Sequence, residues 1–234
     1  MPKHIGIAAC SAEGAALCYR TICNEGSAIL GRHMHPEVSM HTHPLGEYMK
    51  HIDAGNQEGV AALMLSSAEK LFNIGADFLI CPDNTIHEAM PIVAKRSPLP
   101  WLHIAEEVGA EANQRGYVKL GITGTRYLME GPVYPRALEK FDIMYAIPST
   151  EERAEINRII FDDLVNMVFT DESRSYFSGV IDRLKDAGCD AVVLGCTEIP
   201  LLVNDSVSPL PTLDSTRLLA RAALRKATGS REEM

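Results

Sequence analysis

"GADFLICPDNT", residues 75–85, and "GCDAVVLGCTE", residues 188–198, are two versions of one pattern. Each opens on a glycine, carries an aspartate two residues later, runs through an apolar stretch of strand length and ends in a polar turn. Aligned without a gap, Gly75 pairs with Gly188, Asp77 with Asp190 and Asp83 with Cys196. "SPLP" follows in both copies, at 97–100 and 208–211, and the strand openers "IGIAAC" at Ile5 and "LGITGT" at Leu120 also match. Three matches in the same order, at offsets of roughly 111 to 115 residues, indicate two related halves.

The rest of the chain fits that division. "HIGIAAC", "FLIC", "KLGITGT" and "AVVLGC" are short apolar runs, and residues 53–74, 86–95, 151–169 and 173–187 have helical spacing. Such alternation predicts an α/β fold, with parallel sheets covered by helices on both faces. Two such halves facing each other would form a cleft at the carboxyl ends of their strands, where open α/β sheets take ligands. Asp83 and Cys196 would then stand at equivalent points on opposite walls.

Composition narrows the function classes. Of 234 residues, 46% are hydrophobic and 23% charged, enough for a substantial core in one large or two small domains. No apolar run reaches the roughly 18 residues of a membrane span. The opening "MPKHIGIAACSAEG" has too short an apolar stretch for a signal peptide and reads as a first strand. The net charge of −9, with scattered basic residues, argues against a nucleic-acid partner. Cys10, Cys18, Cys23, Cys81, Cys189 and Cys196 include no C-x-x-C pair, so thiols in a reducing cytoplasm are expected. The tail "TGSREEM" reads as frayed.

One acid/base group on each wall suits removal of a proton from one face of a carbon and its return to the other, as in racemisation or epimerisation. Thr85 and Glu88 have the spacing of a capping box, and backbone N–H groups at a helix start would hold a substrate carboxylate. The local alternatives are plain ones. Asp at a strand-to-helix junction is commonly an N-cap, and a cysteine after Gly195 is commonly a small buried residue.

"GCDAVVLGCTEIPLLV" with "PLPTLDSTRLLARAAL" resembles the second cysteine motif and C-terminal helix of the cofactor-independent aspartate/glutamate racemase superfamily. "LGITGTRYLMEGPVYPRAL", "EERAEINRIIFDDL" and "ESRSYF" are similar to its middle segments, and "GADFLICPDNTIHEA" to its first motif. "IGIAACSAEGAALCYR" is a looser match to an opening that usually has Gly-Gly-Met. The resemblance covers nearly the whole chain. It implies two pseudo-symmetric Rossmann-like domains, 1–100 plus 212–234 and 101–211, with the active site in the cleft between them. It also implies a homodimer, no pyridoxal phosphate, and two thiols on opposite faces of the substrate. By position, Cys196 is the second thiol, and Thr197 and Glu198 complete its motif. Asn84 and Thr85 hold the α-carboxylate, and Ser11 and Thr125 line the substrate site.

Three departures stand out. Asp83 occupies the first thiol's position. With reference pKa values of about 3.9 for Asp and about 8.5 for Cys, it is the weaker base by ~6 kcal/mol of proton-transfer driving force. Burial would recover part of that, while a helix N-terminus would oppose it. Cys81, two residues back on the strand and about 6.6 Å away, would lie deeper, and Cys10 reads as packing. Second, relatives acting on acidic amino acids carry a lysine after the segment matching "RIIFDDL", where this chain has "VNMVF". Arg126 and His43 are the basic residues left for a distal carboxylate. Third, Thr42-His43-Pro44 replaces a Ser-Val-Asp-like stretch. His33, His35, His41 and His43 form two H-x-H pairs, but without acidic or cysteine partners no metal is assigned. His43, at the loop end, is the histidine expected to touch substrate. Alternatives to the racemase are a one-thiol decarboxylase or other isomerase on this fold, or a binding protein that takes a carboxylate without chemistry.

Overall fold

Residues 1–229 are described by the structure, a computed structural model, and the chain divides into two units. Residues 230–234, most of the tail read as frayed, lie outside the described residues. One unit is Met1–Ile104 joined by the segment from Thr216 onward; the other is Ala105–Ser215.

The first unit carries β1 (Ile5–Ala9), α1 (Ala12–Leu30), β2 (Val38–Thr42), α2 (Leu45–Asp53), α3 (Gln57–Asn73), β3 (Phe78–Ile80), a 3-10 turn (Thr85–Ala89) and α4 (Met90–Arg96). The second carries α5 (Ile104–Gln114), which starts on the last residue of the first unit. Then come β4 (Lys119–Thr123), α6 (Arg126–Glu130), α7 (Val133–Glu139), β5 (Met144–Ala146), α8 (Thr150–Arg158), α9 (Asp171–Asp186), β6 (Ala191–Leu194), α10 (Ile199–Leu202) and β7 (Thr212–Asp214). α11 (Ser215–Thr228) returns the chain to the first unit.

Every strand pairing is parallel. The sheet order is β2-β1-β3 in the first unit and β5-β4-β6-β7 in the second. β1, β2 and β3 thus correspond to β4, β5 and β6. The correspondence extends to individual hydrogen bonds. Asp77 accepts the His4 N–H while its own N–H donates to the His4 carbonyl, and Asp190 does the same with Lys119. Gly75 and Gly188, two residues earlier, both take φ near +90°, a conformation that excludes a side chain at little cost only for glycine. Ser97 and Ser208 each close a tight turn onto Leu99 and Leu210. After that turn the second unit adds β7, whereas the first makes a single parallel bridge from Trp101 to Leu79.

Side-chain alternation explains the layers of the first unit. Ile5, Ile7 and Ala9 with Phe78 and Ile80 face α1 and α11, packing on Ile22, Leu219 and Ala223. The intervening Ala8, Leu79, Cys10 and Cys81 face the other way, towards α3 and α4. In the second unit Val192 and Leu194 pack on Ile156, Phe177, Val180 and Ile181 of α8 and α9.

Three of the expected helices are broken. Residues 53–74 split around Gly55 (φ +63°) and the Asn56 cap of α3. Residues 86–95 begin as the 3-10 turn and become α-helical only from Met90, with a proline in the first turn. In 151–169, α8 gives way to a π-helical turn (Ile159–Asp163) and a 3-10 turn (Leu164–Asn166), ending on left-handed Met167. There Asn166 Nδ2 donates to the carbonyl oxygens of Phe161 and Asp162, competing for helical acceptors.

The paired clamps make a matched prediction. Asp77→Ala and Asp190→Ala each remove a carboxylate that fixes the entry of an inner strand. Each is expected to cost about 1–2 kcal/mol in denaturant unfolding. A loss confined to one of them would show that the two clamps are not equivalent.

Candidate functional site

The inner strands of the first unit, β1 and β3, end side by side. β1 leads through Cys10 into Ser11, which caps α1 by accepting the Gly14 N–H (3.3 Å). β3 leads through Cys81 into Pro82, which has no N–H to extend the ladder. Asp83 then turns back across the gap. Its Oδ2 accepts the Cys10 N–H (3.0 Å) and its Oδ1 accepts the Ser11 N–H (3.2 Å). The carboxylate therefore caps the neighbouring strand end and not its own helix. The capping box with Glu88 is expected to start at Thr85; the 3-10 turn begins on that residue, so its cap position falls on Asn84, whose side chain makes no cap bond.

Burial raises the Asp83 pKa, and hydrogen bonds from Ser11 and Cys10 offset part of the rise. The two thiols beside it respond more strongly. Cys10 and Cys81 are both buried, and burial followed by the Asp83 charge pushes both well above the ordinary thiol range. They stay protonated at neutral pH. Cys81 Sγ lies 4.0 Å from Asp83 Oδ2, as a donor behind the carboxylate.

Beneath the loop lies His87, which the sequence reading passed over. Its Nε2 is 2.9 Å from the Cys81 carbonyl oxygen, a contact it makes as donor, and its ring meets His103 edge-on at 4.5 Å. Burial, and then the neighbouring His103, hold it well below the ordinary histidine range, so it is a neutral strut. Only its place four residues after Asp83 could have hinted at this. Asn84 is buried and Thr85 half-buried in the same loop.

His43, the histidine expected to touch substrate, packs beside a helix. It follows β2, the edge strand, and its Nε2 meets Ser66 Oγ of α3 at 3.3 Å. His41 lies on the same side, between Ser67 Oγ (2.9 Å) and Lys70 Nζ (2.9 Å), with its ring 4.8 Å from that of His43. The H-x-H pair does face one way, onto a helix. Among the described residues no group of three or more His, Cys, Asp or Glu could hold a metal. His33 accepts from Arg32, and His35 contacts the Pro36 carbonyl.

The second unit repeats the strand ends with different chemistry. Gly195 N–H donates to the Thr123 carbonyl (2.8 Å). A Cβ on Gly195 would stand 2.7 Å from that same oxygen, and one on Gly124 would stand 3.3 Å from the Gly195 carbonyl oxygen. Glycine on both chains lets β4 and β6 leave the sheet in contact. Thr125 caps α6, accepting the Leu128 N–H (3.4 Å), and the next N–H, of Arg126, donates to Asn157 Oδ1 of α8 (2.9 Å). Cys196 is half-buried, and its thiol donates to Glu198 Oε2 (2.9 Å). Thr197 Oγ1 donates to the same oxygen (2.8 Å), and both Thr197 and Glu198 are buried. Glu198, expected from the sequence to contact substrate, meets the Cys196 thiol and the Thr197 hydroxyl through one carboxylate oxygen. A carboxylate at this distance can receive the thiol proton and leave a thiolate.

Comparison with known proteins places these features. The family model described as Asp/Glu/hydantoin racemase matches residues 10–223. A glutamate racemase from Thermus thermophilus is 30% identical over 165 residues, 66% of this chain, and the match spans only 57% of that enzyme's length. A broad-specificity amino-acid racemase from Bacillus subtilis is 22% identical, over 69% of each chain. Among solved structures, a provisionally assigned Asp/Glu racemase from Yersinia pestis superposes with a TM-score of 0.89 at 31% identity, covering 96% of this chain and 99% of its own. Because the family model spans residues 10–223, most of the sequence, the chain belongs to the Asp/Glu/hydantoin racemase family.

Proposed function

We propose that this chain is a cofactor-independent amino-acid racemase or epimerase of the aspartate/glutamate type, with Asp83 and Cys196 working on opposite faces of the substrate α-carbon. The observation that carries the reading is the Cys196 thiol donating to Glu198. It stands at the strand end that repeats the position of Asp83. Family membership and the racemase names of the relatives support the same reaction.

The proton inventory closes. Glu198 takes the Cys196 proton, and the thiolate removes the α-proton, breaking C–H and forming S–H. Asp83 as the carboxylic acid delivers its proton to the opposite face and is left as a carboxylate. The reverse direction uses the Asp83 carboxylate as base and the Cys196 thiol as acid. Ser11, Asn84, Thr85, Thr125 and Thr197 surround the substrate carboxylate in this reading. His43, turned onto α3, is its weakest member. A small carboxylate-bearing substrate, a homodimer and a cytoplasmic setting complete it. Two observations bear on the setting: the six cysteines form no disulfide, and no helix among the described residues is long and apolar enough to cross a membrane.

Exchange of the α-proton in D₂O, followed by NMR over a panel of L- and D-amino acids, tests the proposal. Cys196→Ala and Asp83→Asn are each expected to lower racemisation, read as formation of the opposite enantiomer, by about 10²–10⁴-fold, while exchange without inversion can persist through the remaining base. Racemisation that survives in either variant removes that residue from the chemistry. Release of CO₂ from a substrate malonate, with no exchange of any amino acid, would move the protein to the single-thiol decarboxylases.

The raised Asp83 pKa has a stability consequence of definite sign. A carboxyl whose folded pKa lies above its unfolded value binds its proton more tightly in the folded state. Its contribution is present at acid pH and is lost as pH rises through the folded value. Asp83→Asn, which cannot ionise, is therefore expected to gain stability relative to the native protein as pH rises above the ordinary carboxylate range. Parallel denaturation curves from acid to neutral pH measure the difference, and an unchanged difference would mean the Asp83 pKa is not raised.

A further inference from the structure

His41 takes no part in the chemistry proposed above, yet its contacts lead inward from the surface. Lys70 Nζ, exposed on α3, stands 2.9 Å from His41 Nε2. An ammonium only donates, so Nε2 accepts, and a neutral His41 carries its proton on Nδ1. Burial, then Lys70 and His43, the titratable groups that act on it, hold His41 below its ordinary range and hence neutral. Its Nδ1–H therefore donates to Ser67 Oγ at 2.9 Å. Ser67 is fully buried, so this one bond carries the contact from an exposed lysine into the core.

Tyr48 of α2 is the next polar group. It is fully buried, in the cluster that also holds Cys10 and Cys81. Burial, then Cys81, Cys10 and Asp83, raise the pKa of its hydroxyl, while the Ser67 hydroxyl lowers it. Ser67 is thus close enough to act on Tyr48, although the Tyr48 hydroxyl makes no formed hydrogen bond. A buried hydroxyl left unpaired is destabilising and calls for a reason. A phenol that can accept from one neighbour and donate to another, by rotation of its O–H, supplies one. Cys81 Sγ, itself buried, then stands 4.0 Å from Asp83 Oδ2.

We propose that Lys70, His41, Ser67, Tyr48 and Cys81 form a proton path from the surface to Asp83, which exchanges the Asp83 proton with water while bound substrate covers the carboxyl's open side. This rests on the racemase reading above and deepens it by naming how its first-unit acid/base group is reset. The protons balance. Lys70 passes one to His41 Nε2 and regains one from water. His41 Nδ1 passes one to Ser67 Oγ, Ser67 to Tyr48 Oη, Tyr48 to Cys81 Sγ, and Cys81 to Asp83 Oδ2. Every link ends with the charge it began with, and only the carboxylate becomes a carboxylic acid. The reverse sequence carries a proton out.

The test uses the exchange without inversion that remains when one base is removed. In Cys196→Ala, α-proton exchange in D₂O runs through Asp83 alone and requires its proton to be swapped with solvent in each cycle. Adding Tyr48→Phe, which keeps the ring and breaks no formed hydrogen bond, is expected to lower that exchange by about 10-fold, as is adding Ser67→Ala. In Asp83→Asn, where exchange runs through Cys196, neither addition should change the rate. Ser66→Ala, on the same helix but bonded to His43, should change neither. Exchange through Asp83 that ignores Tyr48→Phe overturns the proposal, and so does an equal loss in both backgrounds, which a merely structural role would give; the racemase reading stands in both cases. If no amino acid is exchanged, that reading fails. NMR of the Tyr48 hydroxyl then decides the path without turnover, as it does where a single-base variant is silent. Its proton is expected to exchange with water about 10-fold more slowly in Ser67→Ala than in the native protein, and equal rates overturn the path.

Discussion

Parallel pairing of the inner strands is the constraint on which everything else depends. Because β1 runs parallel to β3, and β4 to β6, the carboxyl ends of both strands in each pair emerge on one edge of the sheet. Backbone groups that have just left a ladder need partners there. Asp83 supplies them in the first unit by taking the N–H groups of Cys10 and Ser11. In the second, the backbone does so through Gly195 and Thr123, which only a glycine can approach closely enough to make. The chemistry-bearing residues are a consequence of how each strand end solves this accounting.

Both strand ends hold a thiol and a carboxylate two residues apart, Cys81 with Asp83 and Cys196 with Glu198. Their order of depth is inverted. In the first unit the thiol is fully buried and the carboxylate lies ahead of it. In the second the carboxylate is buried and the thiol is the more exposed partner. The inversion sets how each thiol meets its carboxylate. A buried thiol beside a negative charge holds its proton, as Cys10 and Cys81 do. A thiol with a carboxylate beneath it has an acceptor at 2.9 Å. At the place where the resemblance puts a first thiol stands a carboxyl whose basicity is raised by burial.

The fold was legible because its signals are local and repeated. Glycine, aspartate and an apolar run recur with one spacing, and the structure attaches the same hydrogen bonds to both aspartates. The strands β2, β5 and β7 were less visible. β5 and β7 have three residues each, and β2 lies in a histidine-rich stretch whose period invited a metal. Helix breaks were missed where Gly55, a proline or Asn166 competes with the backbone, since an apolar period continues through such points while the hydrogen bonding does not.

Site residues divide in the same way. The places of Asp83, Cys196 and the caps Ser11 and Thr125 could be found because each sits two or three residues beyond a strand, a place that sequence order fixes. The roles of Glu198 and His87 could not. Whether a carboxylate meets a substrate or a thiol depends on the path of α10, and whether a histidine meets solvent or the Cys81 carbonyl depends on the 3-10 turn replacing an α-helix. That turn also places the cap position on Asn84 and not on Thr85. Asp83 owes its place to the same event: with the helix start displaced, its carboxylate satisfies the neighbouring strand end, and the helix is left to begin without it.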